Sequence, residues 1–160
     1  MIGDFFVLTA LGYGVAAALI PVVNAEAYVA GAAVLMGRGD TALMVVAVTI
    51  GTVVGKVVLF RAARAGRELA ASSSRTAKEP KSRFGRAVRK AGEVLIDWLD
   101  DPVRAVLTVL VSAFVGIPPL LAVAVVAGAS AMRTRVFALA VFVGRAARFA
   151  VIAGAAYGLA

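Results

Sequence analysis

Apolar positions in this chain do not alternate with polar ones. They come in long runs, and each run is cut by a proline or closed by basic residues. Phe5 to Ile20 is an apolar run of 16 residues that stops at Pro21. A helix of that length reaches about 24 Å at about 1.5 Å per residue. That is short of the roughly 30 Å hydrocarbon core of a bilayer. Ala27 to Met36 is shorter still. Two short arms around a proline predict a re-entrant hairpin over 5–36 or a broken helix. Non-helical backbone at membrane depth has to be buried in protein or line a wet cavity. Arg38-Gly39-Asp40 reads as a polar turn. Thr41 to Phe60 is 20 residues with one charge, Lys56, long enough to span. Within it Gly51 and Gly55 form a GxxxG pair that permits close helix approach and offers a face for self-association into a homo-oligomer.

After Phe60 the pattern changes. Arg61, Arg64 and Arg67 follow directly, and 71–81 is polar and turn-rich. From Ser82 to Asp100 the apolar residues Phe84, Val88, Ala91, Leu95 and Trp98 recur at helical spacing, with Arg83, Arg86, Arg89 and Lys90 on the other face. This predicts an amphipathic helix on the cytoplasmic membrane surface, or one packed against the bundle. Pro102 opens a second apolar section. Val103 to Val115 is cut by Gly116-Ile117-Pro118-Pro119, Leu120 to Ala131 resumes, and Arg133 and Arg135 close it. A second re-entrant hairpin is expected over 103–131, followed by a span over 136–158 that carries Arg145 and Arg148.

The two sections align on their breaks. Ile20-Pro21, nine residues and Gly31 between alanines match Ile117-Pro118, nine residues and Gly128 between alanines. A long span follows each, and with a four-residue gap at Arg38–Asp40, Gly51 matches Gly144. The turn residues of the first unit lie opposite the Arg61 cluster, and those of the second lie on its side. The expected fold is therefore an all-α membrane protein built as an inverted repeat. Each unit is a re-entrant helical hairpin followed by a transmembrane helix, with a cytoplasmic amphipathic helix between the units. The expected divisions are 1–62, 63–101 and 102–160. In transporters such repeats place broken helices and the substrate site near the midplane.

Composition agrees with the pattern. Of 160 residues 62% are hydrophobic, and mean hydropathy is +0.95. Soluble domains run at roughly 45–50% apolar with glycine counted. Net charge is +8, and residues 61–104 hold 11 of the 17 Lys and Arg. Basic residues placed between apolar spans mark a loop at an anionic cytoplasmic face, and no aromatic residues interleave with Arg61, Arg64 and Arg67 as a nucleic-acid surface would favour. Ala25-Glu26-Ala27 resembles a signal cleavage site, but the preceding region is acidic at Asp4, so the N-terminal run is expected to be retained. The chain has no histidine and no cysteine. That removes Cys/His metal centres, disulfides and His-based catalysis, and Glu26 alone cannot make a paired-carboxylate site. No enzyme activity, metal or cofactor is expected.

The candidate chemistry lies in the charges at membrane depth. Such groups are costly there and usually face the bundle interior in pairs. Glu26 sits just after the first break, and Arg145 and Arg148 are three apart on one helix face. They either line a polar cavity that binds a substrate or ion, or form a structural pair joining the two units. Glu26 can exchange a proton, and the guanidinium fork suits a phosphate. Lys56 is expected to snorkel to the cytoplasmic interface. Asn24 either caps the helix that follows it or contributes a ligand.

Ile20-Pro21-Val22-Val23-Asn24-Ala25-Glu26, followed by Gly31, resembles the first re-entrant motif of the DedA (VTT, SNARE-associated Golgi protein) superfamily. Gly116-Ile117-Pro118-Pro119 through Ala127-Gly128, Met132-Arg133 and Phe137 resembles its second. Val143-Gly144-Arg145-Ala146-Ala147-Arg148-Phe149 is similar to the ending of its small YqaA-like bacterial branch. The resemblance implies a multi-pass protein of the bacterial inner (cytoplasmic) membrane with opposed re-entrant hairpins. It also implies translocation of a lipid, such as a polyprenyl phosphate or phospholipid, and in some members proton dependence. Glu26 falls on the family's acidic position. Arginines often flank the second proline motif in the family; Val115 and Leu121 stand there in this chain, leaving Arg145 and Arg148 as substitutes. The expected activity is thus transport of a lipid or a small solute, and a non-transporting assembly or envelope-maintenance factor is the alternative.

Overall fold

The computed structural model describes residues 2–20, 23–72, 99 and 101–159. Pro21, most of the 71–81 linker and all of the amphipathic segment except Leu99 lie outside the described residues. Among the described residues the fold is all α-helical, with six helices and no strand.

The helices start and stop where local chemistry dictates. α1 (Ile2–Leu19) ends immediately before Ile20 and the first break. α2 (Ala25–Leu35) is started by Asn24, whose side chain accepts from the N–H groups of Glu26 and Ala27 at 2.9 and 3.2 Å. α3 (Arg38–Ser72) follows after only Met36 and Gly37. α4 (Pro102–Val115) carries a proline in its first turn and an Asp101 cap, and it closes on Gly116 at φ +92°, a conformation open to glycine. α5 (Leu120–Ala129) begins after Pro119, and the peptide bond between Ile117 and Pro118 is cis. α6 (Thr134–Leu159) completes the chain.

α3 has 35 residues, about 52 Å, and α6 has 26, about 39 Å. Both are long and apolar enough to cross a membrane; the other four helices are shorter apolar elements. The predicted hairpin arms and spans therefore appear as helices. Two expectations at the ends of α3 do not hold. Arg38-Gly39-Asp40 is its first turn, not a separate loop. The helix also runs past Phe60, where the span was expected to end, to Ser72. Arginine, alanine and leucine there are good helix formers, and Arg64 and Arg67 are held by carbonyls of α5.

α1 packs on α3, and α4 packs on α6, while the second arms cross over: α2 packs mainly on α6 and α5 on α3. The long helices run antiparallel. Phe60, late in α3, stacks on Phe137, early in α6, at 4.6 Å, and Arg38 at the start of α3 lies over Tyr157 near the end of α6. Two apolar cores result. One joins Val29, Met44, Val48, Phe149 and Ala153, and the other joins Phe60, Leu99, Val109, Val123, Phe137 and Val141.

Small residues set the helix spacing. A Cβ at Gly51 would strike the backbone of Leu11, one at Gly55 would meet Ala18 Cβ at 2.5 Å, and one at Gly14 would strike Val48. The GxxxG face expected for self-association is thus filled by α1. Gly144 plays the matching part against α4, where its Cβ would meet Ala113 Cβ at 2.6 Å. Gly51 and Gly144 behave as a repeat pair. Gly31 and Gly128 do not: Gly31 opens onto empty space, whereas a Cβ on Gly128 would strike the Phe60 carbonyl.

Besides Met44, Val48 and Phe60, α3 buries polar side chains and leaves apolar ones exposed. Thr49, Thr52 and Lys56 are buried, while Leu43, Val46, Ile50, Val54 and Val58 are exposed at helical spacing. On α6, Leu139, Val143 and Val151 are likewise exposed while Arg145 is turned inward.

Candidate functional site

Between the two cores lies a polar layer, built where both chain breaks arrive. The first break brings Val23 and Asn24, and the second brings Pro119 and Leu120, to one cavity of about 400 Å³. α2 contributes Glu26, α3 contributes Thr52 and Lys56, and α6 contributes Arg145.

Glu26 holds two guanidinium groups. Arg145 Nη1 donates to its Oε1 at 3.2 Å, and Arg148 Nε lies 3.0 Å from the same oxygen as an ion-pair contact without hydrogen-bond alignment. Arg148 Nη1 donates instead to the Phe114 carbonyl at 2.8 Å, at the end of α4. Its guanidinium also abuts Gly116, where a Cβ would meet Nη1 at 3.2 Å. The second break, apolar in its own sequence, thus receives its arginines from α6. Arg145 Nε is buried and has no hydrogen-bond partner, and its guanidinium lies 5.8 Å from the Phe149 ring centre.

Lys56 does not snorkel. It is 4% exposed, and its Nζ donates to the Ala18 carbonyl at 2.6 Å. The physical reason is its position on the inward face of α3, beside a carbonyl left open where α1 stops. Lys56 at the end of α1 and Arg148 at the end of α4 therefore do the same work: a cation on each long helix caps the arm that precedes a break. Lys56 is the site residue that charge spacing alone assigned elsewhere. Its signal was present as Thr49, Thr52 and Lys56, one polar stripe at helical spacing.

Of the other candidates, Asn24 lines the cavity and caps α2, and its carbonyl accepts from Tyr13 Oη at 3.2 Å. Tyr13 in turn stacks on Tyr28 at 4.2 Å. Pro118 is fixed by Ser112, which donates to its carbonyl at 2.5 Å, and Pro119 lines the cavity. Gly128 packs on α3 away from the cavity, and Gly31 borders a separate apolar groove with Tyr28, Leu35 and Met44. Pro21 is outside the described residues.

Comparison with protein-family models, curated proteins and solved structures gives no match. The site is therefore read from its own chemistry. Arg145 and Arg148 pair with Glu26, and Lys56 lines the same cavity as Glu26 and Arg145. With one carboxylate against three cations among the described residues, an added anion is electrostatically favoured over a bare cation. A phosphate oxygen suits an arginine with an unused donor. Among the described residues no cluster could hold a metal ion.

Proposed function

We propose that this chain is an integral membrane transporter, multi-pass in a bacterial inner membrane and of the DedA/VTT type. Its two re-entrant hairpins would enter from opposite faces and move a lipid that bears a phosphate. The observation that carries this reading is the cavity itself. Both breaks, the cations Lys56 and Arg145 and the carboxylate Glu26 line it, and Arg148 pairs with that carboxylate.

Three further features support it. The outward Leu43, Val46, Ile50, Val54 and Val58 stripe suits lipid rather than water. The antiparallel long helices with exchanged second arms suit an inverted repeat. The basic ends of α3 and α6 lie together, as a single cytoplasmic face requires. In the proposed cycle the lipid phosphate competes with Glu26 for the guanidinium groups. A proton taken up at Glu26 would release Arg145, while Arg148 keeps its bond to the Phe114 carbonyl; proton coupling is proposed on that ground.

Glu26→Gln and Arg148→Ala are expected to abolish lipid movement in proteoliposomes while the amount of protein in the membrane stays normal. Normal movement by both variants would remove these residues from the transport site. A second reading, a non-transporting assembly or envelope-maintenance factor, draws on the helix-capping work of Lys56 and Arg148. It treats the Glu26 cluster as a clamp between α2 and α6, and it predicts that these variants lose folded protein instead.

A further inference from the structure

A second cationic cavity lies at the basic end of the bundle, apart from the central one. It measures about 570 Å³ between α3 and α6 and is lined by Arg61, Arg64, Arg133 and Arg135. Among the described residues no carboxylate lines it, and it shares no residue with the Glu26 cavity.

Its arginines are not equivalent. Arg64 is committed, donating to the carbonyls of Gly128, Ser130 and Met132 at 3.2, 2.9 and 2.6 Å, and lying over the Phe60 ring. Arg61, Arg133 and Arg135 are exposed, and their side chains make no hydrogen bond or ion pair among the described residues. Four like charges around one cavity repel each other until an anion enters. The floor is apolar, formed by Val57 and Ala138, and the outward Val58, Val136 and Leu139 continue that surface along both helices. A cationic rim over an apolar stripe matches a headgroup with its acyl chains, and free phosphate would use only the rim.

We infer that this cavity is a docking site for an anionic diacyl phospholipid, with its phosphate on Arg61, Arg133 and Arg135 and its chains along α3 and α6. The inference rests on the membrane reading but not on transport. The site holds a lipid at one face and is not the route across.

The test uses the full chain purified in neutral detergent, with bound lipid counted by native mass spectrometry. Phosphatidylglycerol is expected to be retained at least tenfold more than phosphatidylcholine. Arg61→Gln with Arg133→Gln and Arg135→Gln should remove that preference, and lysines at the same three positions should keep most of it, which separates charge from folding. Arg38→Gln, which removes a charge over Tyr157 at the opposite end of the bundle, should retain it in full. Equal retention of the two lipids, or an unchanged preference in the glutamine variant, would overturn the proposal. Displacement of phosphatidylglycerol by equimolar glycerol phosphate would assign the site to free phosphate and overturn it as well. Recovery of the chain without detergent in the soluble fraction would fail the membrane reading itself.

Discussion

Replacing Lys56 by methionine removes one positive charge from the central cavity with little change of shape. Lys56 is 4% exposed and lines the cavity with Glu26 and Arg145. A phosphate centred in that space of about 400 Å³ sits roughly 5 Å from the walls, where a unit charge contributes roughly 3 kcal/mol at an effective dielectric of about 20. Water in the cavity and salt reduce this by about half, to roughly 1.5 kcal/mol. That corresponds to about a tenfold loss of affinity. The variant also loses the bond to the Ala18 carbonyl, a charge-assisted contact of about 1.5–3 kcal/mol, so its melting temperature in detergent should fall. The assay is lipid movement into proteoliposomes against lipid phosphate concentration, normalised to folded, reconstituted protein. The half-saturating concentration should rise about tenfold, and Lys56→Arg should restore most of it. A folded Lys56→Met protein with unchanged half-saturation would show that Lys56 does not act on the substrate and serves only to cap α1.

Three more outcomes follow from the packing and the caps. Gly128→Val places a side chain against the Phe60 carbonyl and should cost about 1–3 kcal/mol by overpacking, whereas Gly31→Val, which faces open space, should leave the detergent melting temperature nearly unchanged. Arg64→Ala strips the end of α5 of three carbonyl contacts and should destabilise by about 2–4 kcal/mol in thermal unfolding, while exposed Arg61→Ala should not. The carboxyl of Asp101 is held below its ordinary pKa by the N–H groups of Arg104 and then Val103. Its cap is therefore present above the unfolded carboxyl pKa and lost as pH falls through the lower folded value. Amide exchange at the start of α4 should speed up on acidification, and Asp101→Asn, which still caps, should remove that pH dependence.

Much of this arrangement was legible in the residues. Proline breaks and apolar runs located the four short arms and both long helices, because helix interruption is a local property. The nearness of Glu26 to Arg145 and Arg148 followed from the cost of isolated charges in an apolar setting. What sequence spacing did not show was which faces meet. Gly51 and Gly55 looked free for another copy, but the α1 backbone fills that face. Gly31 and Gly128 matched in spacing, yet only Gly128 is pressed on a neighbouring helix, because α5 crosses to α3 while Gly31 on α2 faces outward. Lys56 near a basic helix end resembled an interfacial residue until the end of α1 arrived beside it. Such facts depend on tertiary approach, which periodicity cannot encode.

The most direct measurement is movement of labelled lipid by the wild-type chain in proteoliposomes, comparing polyprenyl phosphate and phospholipid with an uncharged diacylglycerol. Lys56 and Arg145 in the cavity where the two breaks meet, with Arg148 paired to its carboxylate Glu26, predict protein-dependent movement of a phosphate-bearing lipid and none of the uncharged lipid beyond its spontaneous rate. Failure of folded, reconstituted protein to move any phosphate-bearing lipid, with or without a pH gradient, would contradict a transport role for the cavity.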